Sequence, residues 1–102
     1  RSSDFYLANN WNTCTGGLLV HLLCNIRDID LTPGDLIVCT GDTHIYKTHL
    51  ECVEENLKYT PKPSPKLVIK RKLENIEDFE YTDLELIGYN PIKNNTKASM
   101  AI

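Results

Sequence analysis

Leu36-Ile37-Val38-Cys39-Thr40-Gly41-Asp42-Thr43-His44-Ile45-Tyr46 is the stretch that decides how this chain is read. The apolar run from Leu36 to Cys39 reads as a buried strand that reaches Thr40. A strand continuing beyond it alternates its side chains between two faces. His44 and Tyr46 then share one face, and Thr43 and Ile45 share the other. An imidazole beside a phenol offers hydrogen-bond donors and acceptors, which suits a hydroxyl-bearing ligand such as a sugar. The competing reading is a strand end whose polar groups are satisfied inside the fold.

Upstream, Leu31-Thr32-Pro33-Gly34-Asp35 carries Pro then Gly in type II turn order. Before it, Leu18, Leu19, Val20, Leu22, Leu23, Cys24, Ile26 and Ile29 are apolar on nearly every helical face. That pattern predicts a buried central helix, capped by Thr13 or Thr15 and running to about Asp28. Gly16 and Gly17 lower helix propensity and permit close backbone approach near its start. His21 reads as a satisfied core or interface histidine. Ala8-Asn9-Asn10-Trp11-Asn12 reads as a polar loop with Trp11 packed, after a short apolar strand at Phe5-Tyr6-Leu7. Asn12 has a donor and an acceptor, which match an amide edge such as that of uracil; local backbone capping is the other reading. Arg1-Ser2-Ser3-Asp4 combines a planar cationic fork with two hydroxyls, which is anion-binding chemistry. Asp4 is out of place on an anion and should face an N–H donor of a second ligand. A plain polar terminus is the alternative for all four residues.

Downstream, Thr48-x-x-Glu51 is a capping box that starts a helix to about Tyr59, with Leu50, Val53 and Leu57 on one stripe. His49 falls in its first turn and is expected at the surface. Thr60-Pro61-Lys62-Pro63-Ser64-Pro65-Lys66 is a stiff extended connector. Leu67-Val68-Ile69 and Leu84-Glu85-Leu86-Ile87 read as strands, the second ended by Gly88-Tyr89-Asn90-Pro91, with a helical turn at Ile76 to Phe79 between them. Strands and helices mix without regular alternation, which indicates an α+β fold.

The chain has 102 residues, 41% hydrophobic and 25% charged, with a formal net charge of -3. One small soluble domain, or part of a larger one, fits these values. Nothing in that charge points to a nucleic-acid or anionic-membrane partner held by bulk electrostatics. Lys62, Lys66, Lys70, Arg71 and Lys72 read as a solvated basic face. No apolar run is long enough to span a bilayer, and no signal peptide is read. Cys14, Cys24, Cys39 and Cys52 lack Cys-x-x-Cys spacing, so they read as reduced, buried thiols of an intracellular protein rather than a metal site. Asn94-Asn95-Thr96 fits the glycosylation pattern but has meaning only on a secretory route. Residue 1 is Arg rather than Met, so the natural start is expected upstream.

Together these stretches resemble the C-terminal portion of thymidylate synthase. The resemblance rests on Arg1-Ser2-x-Asp4, Asn12 before the apolar helix, Gly41-Asp42-Thr43-His44-Ile45-Tyr46 and Pro61-Lys62-Pro63-x-Pro65-Lys66-Leu67. Glu85-Leu86-Ile87-Gly88-Tyr89-Asn90-Pro91 and Met100-Ala101-Ile102 complete the set. The resemblance implies the α+β thymidylate synthase/dCMP hydroxymethylase-like fold, a mixed sheet with a buried central helix. Residues 1–102 would be its C-terminal portion. It implies reductive methylation of dUMP to dTMP, with 5,10-methylenetetrahydrofolate giving one carbon and a hydride and leaving as dihydrofolate. A cysteine thiolate first adds to C6 of the uracil.

By the same resemblance, Arg1 and Ser2 hold the dUMP phosphate, with Ser3 in the same segment. Asp4 bonds the folate pterin beside the nucleotide, Asn12 reads the uracil edge, and His44 and Tyr46 flank Ile45 and bond the deoxyribose 3'-hydroxyl. Ala101 and Ile102 close over the folate. No metal is implied. A cytoplasmic homodimer is implied, with partner-subunit arginines completing the phosphate site. The chain departs from the family where Ala8-Asn9-Asn10-Trp11-Asn12 replaces Gly-x-Pro-Phe-Asn, and at Ser64, where a larger apolar residue is common. None of its cysteines has the nucleophile's Pro-Cys-His context, so the nucleophile is expected upstream of Arg1 and this chain alone is expected to be inactive and to fold poorly. The alternatives are a dUMP hydroxymethylase of the same fold and a non-catalytic remnant kept for dimerisation or nucleotide binding. A carboxylate in place of Asn12 would suit cytosine better, which disfavours a dCMP-specific enzyme.

Overall fold

A computed structural model describes residues 2–93 and 96–100. Strand β1 is Ser3–Asp4, helix α1 Asn9–Cys24, strand β2 Thr43–His44, helix α2 Leu50–Asn56, and strands β3 and β4 Lys66–Ile69 and Leu84–Ile87. Short 3-10 turns precede α2 at Lys47–His49 and fill the β3–β4 connection at Ile76–Asp78 and Tyr81–Asp83. The fold is α+β, but its strands form two separate pairs rather than one mixed sheet. β1 and β2 are parallel, and β3 and β4 are antiparallel.

The chain divides into two compact units. The first comprises Arg1–Thr13, Val38–Lys62 and Asn90–Ile102. In it, Ser3 pairs with Thr43 and Asp4 with His44. The Ser3 N–H donates to the Asp42 carbonyl at 2.7 Å and the Phe5 N–H to the His44 carbonyl at 2.9 Å. Residues 5–8 turn rather than extend, so the strand expected at Phe5-Tyr6-Leu7 is displaced to Ser3–Asp4. The cause is Asp4, whose Oδ1 accepts the N–H groups of Tyr6 and Leu7, each at 3.1 Å. The Ala8 N–H then reaches the Asp4 carbonyl at 3.0 Å, and the Asn12 N–H reaches Ala8 at 3.1 Å. An aspartate bonding backbone two residues on is an Asx turn. It launches α1 at Asn9, so the expected polar loop is helical and neither Thr13 nor Thr15 is a cap.

The expected strand Leu36 to Thr40 is absent, and those residues are exposed and irregular. A buried strand needs a neighbour for its backbone groups, and pairing here begins only at Thr43. The capping box at Thr48 and Glu51 is also absent. Tyr46 caps the 3-10 turn, which passes into α2 with no side-chain cap bond, and α2 stops at Asn56 rather than Tyr59. Cys14 and Cys39 are exposed, and Cys24 and Cys52 half-buried, so the thiols are free but not the core groups expected.

The second unit comprises Cys14–Ile37 and Pro63–Tyr89. Among the described residues the buried hydrophobic side chains are Leu22 and Leu73, the latter fully enclosed. Within this chain alone helix α1 does not show the burial expected of a central helix; Leu19 and Leu23 are exposed. It ends at Cys24, and Asp28 adopts φ 64°, left-handed backbone that no α-helix continues. Past that end, Ile26 bridges Leu73, and the Arg27 N–H donates to the Leu73 carbonyl at 2.7 Å. Gly16 lies mid-helix, where an added Cβ would stand 3.1 Å from a Leu36 methyl, so close approach holds but not at the helix start. Gly34 has no positive φ, which a type II turn there requires, so the expected turn is not formed.

Strands β3 and β4 match the sequence expectation closely, with Gly88 at φ 75° ending the second. Their connection is tied by Asp83, nearly buried, whose Oδ1 accepts Arg71 Nε at 2.7 Å and whose Oδ2 accepts the Glu80 N–H at 2.9 Å. The basic face is therefore only partly free: Arg71 also donates to the Asp78 carbonyl, and Lys62 Nζ to Asn90 Oδ1 at 3.0 Å.

Replacing Leu73 by Ala should lower stability by about 2–5 kcal/mol, read by urea unfolding of the longest natural form of the chain. The Arg71 hydrogen bond, aided by the Glu80 N–H, holds the Asp83 carboxyl below its usual range. A carboxyl with a depressed folded value adds stability above its unfolded value, about 3.9, and loses it as pH falls through the folded value. Asp83→Asn should therefore be destabilising at neutral pH, and its stability gap from the unaltered protein should close below about pH 4.

Candidate functional site

The first unit gathers most of the sequence-predicted site residues. Adjacent residues of a strand point to opposite faces, and Ser3 and Asp4 serve two different cavities. Ser2, Ser3, Asn9 and Asn12 line a cavity of about 450 Å³ with Val38 to Gly41. Asp4, Leu7, Ala8, Trp11 and Asn12 line another of about 650 Å³ with Ala98 and Met100. Asn12 borders both because α1 begins at Asn9, which sets Asn12 in the first helical turn beside β1. Among the described residues its side-chain amide makes no hydrogen bond. Trp11 is not the packed residue expected: it is 77% exposed at the second cavity.

His44 and Tyr46 do stand together, their rings 5.0 Å apart and edge to face. His44 Nδ1 lies 3.3 Å from the Asp42 carbonyl. A carbonyl only accepts, so in the neutral ring this contact sets the proton on Nδ1 and leaves Nε2 as an acceptor. The pair thus offers a phenol O–H and an imidazole lone pair, and Tyr46 is exposed. Ile45 points elsewhere, into a third cavity of about 240 Å³ with Phe5, Tyr6 and Asn10. Arg1, Ala101 and Ile102 lie outside the described residues.

His49 overturns its expected place at the surface, because it is fully buried. The 3-10 turn that begins after Tyr46 folds His49 back, its N–H reaching the Tyr46 carbonyl at 2.9 Å. Its ring lies 5.6 Å from both Tyr6 and Tyr46. Tyr6 is fixed in turn by Asn56 Nδ2, which donates to its hydroxyl at 2.8 Å. Tyr6, His49, Tyr46 and His44 therefore form a continuous row of rings. The available sequence signal was the three-residue spacing of Tyr46 and His49, which places two side chains on one face of a helical turn. Trp11 offered no comparable signal.

No group of three or more His, Cys, Asp or Glu suited to a metal occurs among the described residues. No helix among them is long and apolar enough to cross a membrane.

A sequence model of the family described as thymidylate synthase matches residues 1–102. The chain is 44% identical over its whole length to a thymidylate synthase of Pseudomonas fluorescens (strain SBW25), covering 36% of that protein. It is 38% identical over 91 residues to one of Saccharomyces cerevisiae, covering 89% of this chain and 29% of the yeast protein. This chain belongs to the thymidylate synthase family. It spans about a third of the length of the curated relatives it matches.

Asp4 has a backbone task that is separable from any ligand. Asn in its place retains the acceptor for Tyr6 and Leu7, whereas Ala removes it. Asp4→Ala should cost about 0.5–2 kcal/mol of stability in urea unfolding and Asp4→Asn much less.

Proposed function

We propose that this chain is the C-terminal portion of a thymidylate synthase domain that converts dUMP to dTMP with 5,10-methylenetetrahydrofolate. Family membership supports the reaction class. The observation that carries the assignment of residues is the β1–β2 register, which sets Asp4 opposite His44 and gathers groups suited to phosphate, pyrimidine and sugar in one unit.

Ser2 and Ser3 offer hydroxyl donors to the dUMP phosphate, joined by Arg1 and by arginines of the partner subunit in a homodimer. Asn12, its amide unbonded among the described residues, reads the O4/N3–H edge of uracil. His44 Nε2 accepts from the deoxyribose 3'-hydroxyl and the Tyr46 phenol donates to it, with Ile45 between them fixing their spacing. The cavity bordered by Asp4 fits a flat heteroaromatic ring: its walls are largely apolar, and a carboxylate stands at one edge to accept pterin N–H groups. When bound there, the folate supplies the one-carbon unit and the hydride. Ala101 and Ile102 close the site and exclude water, which protects a reactive intermediate. Asp4 thus serves both ligands, as it borders the nucleotide segment and the folate cavity.

The nucleophilic cysteine belongs to a part of the domain upstream of Arg1, because Cys14, Cys24, Cys39 and Cys52 lack its context. This chain by itself is inactive, and the working protein is a cytoplasmic homodimer. Remaining parts of the domain cover the apolar side chains left exposed here, such as Leu19, Leu23 and Ile37.

The test is a product assay on the longest natural form of the chain with dUMP and 5,10-methylenetetrahydrofolate. dTMP with dihydrofolate is the expected result. 5-Hydroxymethyl-dUMP with tetrahydrofolate would move the enzyme to the hydroxymethylase branch, and unchanged dUMP would overturn catalysis. In the active protein, Tyr46→Phe should raise the KM for dUMP about tenfold, one lost hydrogen bond to the 3'-hydroxyl, and His44→Ala by at least as much.

A further inference from the structure

We propose that His49 is a positioning residue that anchors the C-terminal segment and so sets the wall of the folate cavity; this rests on the reading of that cavity given above. Three observations meet at this side chain. His49 is fully buried. Its Nε2 lies 2.7 Å from the carbonyl of Ser99, the residue between Ala98 and Met100, which both line the cavity of about 650 Å³. Its ring is held on two sides by Tyr6 and Tyr46.

The chemistry assigns the proton. The Ser99 carbonyl only accepts, so Nε2–H donates, and in the neutral ring Nδ1 holds a lone pair. Nδ1 has no partner among the described residues. One nitrogen therefore performs the function and the other performs none. A short hydrogen bond from a ring that cannot turn fixes the backbone at Ser99. That in turn fixes where Ala98 and Met100 stand relative to Asp4, Trp11 and Asn12. The same ring touches Tyr46, so the segment that carries the sugar-binding pair also holds the tail.

The two nitrogens give an atom-specific test. The amide nitrogen of Gln reaches the place of Nε2, and that of Asn reaches the place of Nδ1. His49→Gln should retain the anchor, whereas His49→Asn, one methylene shorter, should lose it, as should His49→Phe. In the longest natural form of the chain, amide hydrogen exchange of a peptide spanning residues 96–100 should quicken roughly tenfold in the Asn and Phe variants and stay near the unaltered rate in Gln. The KM for the folate should rise about tenfold in the same two variants with kcat changed less, and Gln should restore it.

Equal exchange in the Asn and Gln variants would overturn the anchor, even if Phe fails to fold. Faster exchange with an unaltered folate KM would overturn the positioning role. If the unaltered protein makes no dTMP, the proposed function fails, while the exchange rates still judge the anchor.

Discussion

The first unit depends on the backbone pairing of Ser3–Asp4 with Thr43–His44. Two hydrogen bonds, from Ser3 to Asp42 and from Phe5 to His44, bring together segments far apart in sequence. Each such bond contributes only about 1 kcal/mol net, and a two-stranded pair this short is marginal alone. It persists because both ends are tied off. Upstream, the Asp4 carboxylate collects two N–H groups and turns the chain into α1. Downstream, the Tyr46 carbonyl accepts the His49 N–H and starts the 3-10 turn that buries His49 between two tyrosine rings. Every proposed contact to nucleotide or folate within the described residues follows from that register.

The arrangement divides labour on one strand. Ser3 faces the cavity proposed for phosphate and Asp4 the one proposed for folate, and Asn12 borders both. A one-residue slip would exchange the two faces. The residues that hold the strand pair are thus the residues proposed to bind ligand. Asp4 is the clearest case, with Oδ1 committed to the backbone while the residue also borders a cavity. His49 performs the equivalent task for the tail without being proposed to touch a ligand.

Elements with local causes were legible in the sequence. The proline-rich connector, the β3 and β4 strands and the glycine that ends β4 follow from proline geometry, β-branched and apolar runs, and the left-handed backbone at Gly88. The His44–Tyr46 pairing was legible because alternation is a property of extended backbone. The Leu36 to Thr40 strand, the capping box at Thr48 and the buried helix were not. An apolar run reads the same whether or not a neighbour is present to pair with it. Thr48 and Glu51 have the right spacing, yet the chain enters the helix through a 3-10 turn, where that spacing has no cap to serve.

The sequence by itself determined the family, the mixture of helix and strand, and which residue types stand ready for phosphate, pyrimidine and sugar. Their chemistry is carried by side-chain type and short-range spacing. The tertiary structure decided which of them meet: Asp4 against His44, Asn12 between two cavities, and His49 sealed against Tyr6, Tyr46 and the Ser99 carbonyl. Apart from Tyr46 and His49, which are near neighbours in sequence, those contacts join residues far apart in the chain, and local spacing holds no record of which distant backbone group will accept a given hydrogen bond.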